Sequence, residues 1–342
     1  MDKVSTRIIR MASRYTAAVS LILIGYLFYR YLPFYANFFA GSHDFKLFTI
    51  PTVDVFFYFF ALNAMLLPLF HISLPPQYKT KSQLFWRFVF MLGKRGPNSE
   101  EKTAILSTLV KFFFLPLIIF WLCIHISQLI QDLSTLNQLD QFFPAGYWLI
   151  FNVILTVDVL FFMIGYSIEH PRLGNEIRSV DATLLGWIVA LACYPPLNGM
   201  LNNMLGWYSS DYPGFTDSTW LTIIGISMLV LMAIYSSASV ALNLKASNLT
   251  NRGIVRRGPY AVVRHPAYMA KNLAWWLGSI PVLQNVWQEY GFLDFLIGVL
   301  SVILWSGIYF LRAITEENHL KHDEEYRQYC EQVKYRFIPK II

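Results

Sequence analysis

The amino-acid sequence predicts an all-α polytopic membrane bundle of about eight transmembrane helices followed by a helical tail outside the bilayer, and three observations predict it. Of 342 residues, 56% are hydrophobic, 17% aromatic and only 14% charged, a balance too apolar for a water-soluble globular chain. Apolar stretches of about 20 residues, the length that crosses a hydrocarbon core of roughly 30 Å, recur along its length. The cations fall in alternate connections, the pattern of a chain threaded back and forth through a bilayer.

In order, spans are expected near residues 15–32, 52–73, 104–131, 147–168, 183–206, 220–243, 267–288 and 292–314. The segment MDKVSTRIIRMASRY is basic, but the apolar run behind it is long and lacks a small-residue cleavage pattern, so it reads as a retained first span. Residues 83–92, QLFWRFVFML, carry Leu84, Phe85, Phe88, Met91 and Leu92 at helical spacing in a run too short to span. An amphipathic helix lying in the interface, or one packed on the bundle, satisfies that pattern. The fifth span is interrupted by Cys193-Tyr194-Pro195-Pro196, which is expected to kink it and to open a lipid-facing groove.

Arg7, Arg10 and Arg14 precede the first span; Lys79, Lys81, Arg87, Lys94, Arg95 and Lys102 follow the second; Lys245, Arg252, Arg256, Arg257 and Arg264 precede the seventh. Loops one, three, five and seven hold only Lys46. Both termini are therefore expected in the cytoplasm. Topology accounts for the +6 formal charge, which removes nucleic acid as an expected partner and leaves the bilayer and a lipid or lipidated molecule. Cys123, Cys193 and Cys330 are scattered and read as small apolar fillers.

No repeat or low-complexity linker divides the chain, and two regions are distinguished by content: 1–244, the first six spans, and 245–342, the last two spans with the tail. Polar groups within the spans are few. Asp158, with Asn152 six residues before it, is the most central, and intramembrane carboxylates are either satisfied by hydrogen bonds or engaged with substrate. In loop four, Arg172, Glu176, Arg178 and Asp181 either recognise a headgroup or pair among themselves.

Two constellations carry chemistry. In RGPYAVVRHPAYMAKNLAWW, residues 257–276, Pro266 is suited to the first position of a helix because it has no N–H to leave unpaired. The amides of Ala267 and Tyr268 then stand beside Arg264 and His265, an arrangement able to hold an anionic group; the alternative makes Arg264 a membrane anchor and His265 a cap. Arg312, Glu316 and Glu317 form the second constellation at the inner end of the eighth span. Spans seven and eight are joined by a short loop, so they are antiparallel neighbours and their inner ends meet. Together they can grip a zwitterion. In the tail, Tyr326, Tyr329, Cys330 and Val333 recur at i, i+3, i+4, i+7, an apolar stripe that needs a cover.

GPYAVVRHPAY followed by EENHLKHDEEYRQYCEQVKYRFIP resembles the carboxy-terminal signature of isoprenylcysteine carboxyl methyltransferases and phospholipid methyltransferase-like membrane enzymes, over about residues 245–340. The resemblance implies S-adenosylmethionine bound between the last two spans and the tail. It carries over Tyr260, Arg264, His265, Tyr268, Glu316, Glu317, Tyr326 and Arg336 as cofactor-binding positions, with Arg264 and Glu317 as candidate catalytic residues. Lys271, Arg312, Arg172 and Asp158 are candidates for the acceptor, a prenylcysteine-like carboxylate, a phospholipid or another lipid. Two residues depart from the family pattern: Ala270 stands where glycine is usual, so its methyl is expected to narrow the approach to the cofactor, and Lys271 adds a cation.

The tail pattern Tyr-Cys-x-x-Val-x-x-Arg also resembles NADPH-dependent sterol reductases, whose front motif however has Asn, Gly and Asp where this chain has Ala267, Ala270 and Lys271. Glu316, His319 and His322 imitate metal-ligand spacing, but no second cluster answers them, so no metal is expected and the two histidines read as solvated. A transporter or non-catalytic scaffold is disfavoured by the lack of matching broken spans in two halves. Oligomeric state is not written in the sequence.

Overall fold

The computed structural model describes residues 3–134 and 142–341. It is an all-α membrane bundle, 73% helical. The helices are α1 (Lys3–Tyr31), α2 (Pro33–Phe38), α3 (Thr52–Ser73), α4 (Lys81–Val89), α5 (Ser99–Ser134), α6 (Tyr147–Ser167), α7 (Leu184–Leu191), α8 (Leu197–Leu205), α9 (Ser218–Leu242), α10 (Pro266–Tyr290), α11 (Phe292–Leu320) and α12 (Glu324–Gln332). Aromatic rings fill the first half: Tyr29, Phe39, Phe56 and Phe60 pack α1 and α3 on α5. Tyr147, Phe151, Met232 and Ala274 join α6, α9 and α10. Leucines and isoleucines such as Leu62, Leu69, Leu300 and Ile303 are exposed, as expected of a surface whose solvent is lipid.

Among the described residues, six helices are long and apolar enough to cross a membrane, against the eight expected. Both differences have physical causes. The fifth expected span is two helices, α7 and α8, because Pro195 and Pro196 supply no N–H to continue the ladder. The seventh, α10, has the length, but Lys271, Asn272, Gln284, Asn285, Gln288 and Glu289 lower its hydropathy.

After α8 the chain runs non-helically through 206–217 between α10 and α11. The Ser301 hydroxyl donates to the Gly206 carbonyl at 2.8 Å, the Ser209 hydroxyl to that of Trp275 at 2.8 Å, and the Ser210 amide to that of Gly278 at 3.2 Å. A Cβ on Gly278 would lie 2.0 Å from the Ser210 carbonyl oxygen, so only glycine permits this approach. Irregular backbone inside a membrane bundle is tolerated where protein groups satisfy it, as the partners on α10 and α11 do here.

The expected interfacial helix over 83–92 is α4, which is docked on the bundle. Leu84 is buried, the Trp86 indole donates to the Ala17 carbonyl at 3.2 Å, and Glu101, fully buried, pairs with Arg87 and Arg95. Arg14, also buried, donates to the carbonyls of Pro75 and Tyr78, each at 2.7 Å, and so ties the connection after α3 to α1. Two short strands, Ser179–Val180 and Thr250–Asn251, pair antiparallel and bring loop four against the segment that leads into α10.

Candidate functional site

The site is built where α10 begins, α11 ends and the tail folds back. Pro266 opens α10 as expected, but His265 before it makes no side-chain cap. Its backbone goes elsewhere: the Arg264 amide donates to the Tyr335 carbonyl at 2.9 Å and the His265 amide to that of Arg336 at 2.8 Å. Arg264 also donates to the carbonyls of Val333 at 2.9 Å and Lys334 at 2.7 Å. The stripe of α12 finds its cover here, with Tyr326, Tyr329 and Val333 buried against Ile254, Tyr260 and Leu320 and the Tyr329 hydroxyl donating to the Tyr260 carbonyl at 2.7 Å.

Glu317, 1% exposed, is the hub of this fold-back. It accepts from Arg264 Nε at 2.8 Å, from Arg336 Nε at 3.0 Å and lies 3.3 Å from His265 Nε2. Burial works against the charged form of Arg264, but the Glu317 carboxylate outweighs it and the guanidinium pKa is raised. The cation expected to meet a cofactor anion is therefore engaged by protein groups. Arg264, Glu317 and Arg336 hold the tail across the start of α10, and this is the place the structure gives them.

The neighbouring pair is arranged differently. Glu316, the preceding residue of α11 and so rotated about 100° around the helix, accepts from the Tyr268 hydroxyl at 2.8 Å and faces a pocket of about 80 Å³ whose walls include Tyr260, Arg264, His265, Tyr268 and Arg312. The His265 and Tyr268 rings stack with centroids 5.4 Å apart. Arg312 is 6% exposed and, among the described residues, has no carboxylate within ion-pair distance. Its guanidinium lies 5.1 Å from the centre of the Tyr268 ring and 5.6 Å from that of Tyr194, and it donates to the Asn248 side-chain oxygen. Asn248 is held in turn, its amide donating to the Tyr166 hydroxyl at 2.7 Å. A buried cation lacking a counter-ion costs several kcal/mol in such surroundings unless a ligand supplies one.

Lys271, one helical turn deeper on α10, marks where this pocket adjoins a larger cavity of about 580 Å³ inside the bundle. Its ammonium sits among Tyr235, Trp275 and Tyr309, with ring centres at 5.5, 5.3 and 5.8 Å. It points inward, so it does not reach back to the interface. Asp158 lies on the same wall, buried and hydrogen-bonded by the Ser239 hydroxyl. Farther in, the cavity is lined by Trp121, Trp148 and Trp207 together with His125, Asn202 and Asp211. The Pro195-Pro196 break faces this interior, since Cys193 and Tyr194 are on its wall.

Other expectations fall outside. Arg172 is exposed on a short turn and lines neither cavity. Arg178 pairs with Asp323 and Glu325 of the tail, and Asp181 accepts from the Thr183 amide ahead of α7, so these loop-four charges are engaged by the tail and by backbone and do not, as one expectation had it, pair among themselves. Ala270 is fully buried and on neither cavity wall, so its methyl does not narrow the site. His319 is not solvated as expected; it meets the Ser179 hydroxyl at 3.2 Å. Tyr326 is buried with its hydroxyl unpartnered and is absent from the wall of the small pocket. Sequence reasoning passed over Tyr194, Tyr235, Asn248 and Tyr309. Aromatic residues in a span look like packing, and only the position of Asn248 just ahead of the front motif hinted at more.

The fold and site define a multi-pass integral membrane protein whose last helices and tail enclose a polar pocket next to an aromatic, partly polar intramembrane cavity. Residues 208–333 match the model of a family described as protein of unknown function (DUF1295), membrane proteins related to steroid 5-alpha reductase-like enzymes. That stretch runs from the irregular segment after α8 to the end of the tail helix, and nothing in the match points to a methyltransferase family. No curated protein and no solved structure matches the chain.

Proposed function

We propose that the protein is a membrane methyltransferase that binds S-adenosylmethionine at the cytoplasmic mouth formed by α10, α11 and the tail, and methylates a lipophilic acceptor held in the intramembrane cavity. The observation that carries this reading is the pairing of a buried, uncompensated Arg312 with Glu316 across one small pocket. A guanidinium and a carboxylate are the complementary donor set for the α-carboxylate and α-ammonium of an amino acid. At about 80 Å³ the pocket matches that end of the cofactor and not the whole molecule.

The cofactor, when bound, supplies a methyl group already activated on a sulfonium, so the protein's task is alignment. Arg312 and Glu316 would orient the amino-acid end, and the stacked rings of His265 and Tyr268 would exclude water beside it. Lys271 would hold an anionic acceptor group, and Asp158 would take the proton from an acceptor amine or alcohol; a carboxylate acceptor needs no base.

The family match favours a second reading, a reductase using NADPH on a sterol-like substrate. Against it stands charge: NADPH brings several negative charges, and two carboxylates, Glu316 and Asp158, stand among the cations Arg312 and Lys271. Calorimetric titration of the detergent-purified protein with S-adenosylhomocysteine and, separately, with NADPH decides between them. Binding of the first alone, lost in Glu316→Gln, supports methyl transfer; binding of NADPH alone replaces it with reduction, and silence from both removes both.

A further inference from the structure

A second cavity of about 220 Å³, sharing no wall residue with this site, lies between α1, α3 and α5. Its depth is apolar, walled by Leu21, Ile22, Gly25, Phe60, Phe112 and Leu115. Its mouth is polar, with Lys81, Lys111 and Glu169 next to the hydroxyls of Thr80 and Ser82 and the imidazole of His71. Polarity is thus segregated along one axis, as it is in an amphiphile.

Three features of the mouth point to a missing anion. Lys111 pairs with Glu169 at 3.1 Å, but Glu169 also accepts from the Ile177 amide at 3.0 Å and is, among the described residues, the only carboxylate on the wall. Lys81 has no carboxylate within ion-pair distance among the described residues. It also occupies the first position of α4, where the helix dipole disfavours a cation. His71 is 3% exposed and its Nδ1 is buried with no hydrogen-bond partner, although it lines the cavity. A buried polar atom left unpaired costs about 1–3 kcal/mol, a cost that a ligand acceptor would remove.

We propose that this groove binds an amphiphile with an anionic headgroup, its carboxylate or phosphate held by Lys81, Lys111 and His71 and its chain lying along Leu21, Gly25 and Phe112. The volume is below the roughly 300–1,000 Å³ of sites that enclose a whole small molecule, so the groove takes the head and the first part of one chain. The proposal does not depend on the reaction assigned to the other cavity, with which this one shares only Tyr166-side packing of α6 and no wall residue.

Native mass spectrometry of the full chain, purified in detergent and stripped of lipid, tests it. The probes are oleate, dioleoylphosphatidylglycerol and, as the neutral control, dioleoylphosphatidylcholine. We expect a one-to-one adduct with oleate, with the glycerol lipid or with both, at least tenfold stronger than with the choline lipid. Oleate alone identifies a free carboxylate as the headgroup, and the glycerol lipid alone a phosphate. Lys81→Glu should weaken the adduct at least tenfold. Gly25→Leu should do the same by filling the chain site, since a Cβ there meets the Phe112 ring at 3.6 Å and the Tyr29 ring at 3.7 Å, both ordinary van der Waals contacts. That variant keeps the test open should Lys81→Glu fail to fold. Equal binding of the choline lipid, or full binding in both variants, overturns the proposal.

Discussion

Arg264 and Glu317 meet at 2.8 Å where Arg264 joins the wall of the mouth pocket, and their pairing serves to fasten the tail. The neighbouring residues Arg312 and Glu316 line the same pocket outside that pairing. Two Arg/Glu combinations built on consecutive glutamates thus have separate tasks, one holding the enclosure together and the other presenting charge inside it.

Glu317→Ala is expected to undock the tail. It strands Arg264 and removes the partner of Arg336, and breaking a buried pair costs about 3–5 kcal/mol. Hydrogen exchange should show α12 and residues 333–336 losing protection while α5 and α6 keep theirs. Unchanged protection in α12 would mean that its aromatic stripe suffices alone.

Arg312→Gln removes the pocket's buried cation but leaves every contact of Glu317 in place. Charge-assisted hydrogen bonds are worth about 1.5–3 kcal/mol, so adenosylhomocysteine affinity should fall roughly ten- to hundredfold. Tail protection should be unaltered. If exchange in α12 rose as it does for Glu317→Ala, Arg312 would belong to the same fastening.

Lys271→Met should raise the KM for an anionic lipid acceptor and leave adenosylhomocysteine affinity within a few-fold, because the ammonium lies among Tyr235, Trp275 and Tyr309 at the junction with the large cavity. Parallel titration and steady-state kinetics read the two effects separately. A loss of cofactor affinity equal to that of Arg312→Gln would place Lys271 in the cofactor pocket.

Acid should loosen the tie between loop four and the tail. Burial works to raise the Asp323 carboxyl, but the Asn251 amide, the Glu325 N–H and Arg178 outweigh it and hold its pKa below the ordinary 3.8. A carboxylate with a depressed folded pKa contributes stability that is present above the unfolded value and lost as pH falls through the folded one. Protection of α12 should therefore be flat from about pH 7 to about pH 5 and decline below about pH 4. Asp323→Asn should reduce that decline, the remainder coming from the Glu317 pairs with Arg264 and Arg336.

Much of this was legible in residue order. The period of Tyr326, Tyr329 and Val333 announced a buried stripe, and the short link between the last two spans brought Arg264 and Glu317 together. What stayed hidden was rotation. Nothing in RHPAY tells which side of the helix start Arg264 takes, and so nothing told that it would be consumed by Glu317 while Arg312 remained available. The polar cavity was equally unreadable, since His125, Asn202, Asp211 and Lys271 come from four separate elements and each looks isolated in sequence. The break at Pro195-Pro196 was visible, but its facing the interior depends on the path of 206–217.

That path also sets an order of assembly. The ribosome releases residues 206–217 before α10 exists, yet the Ser210 amide has its acceptor on Gly278 and the Ser209 hydroxyl has its own on Trp275. Until α10 inserts, this stretch has its α6 contact, the Tyr147 hydroxyl on the Asp211 carbonyl, but the Ser209 and Ser210 donors lack their acceptors, so this polar backbone must wait in the translocon or at the interface. The large cavity is therefore closed late in biogenesis, and a chain arrested after α9 would present an open, polar seam to the machinery that recognises unfinished membrane proteins.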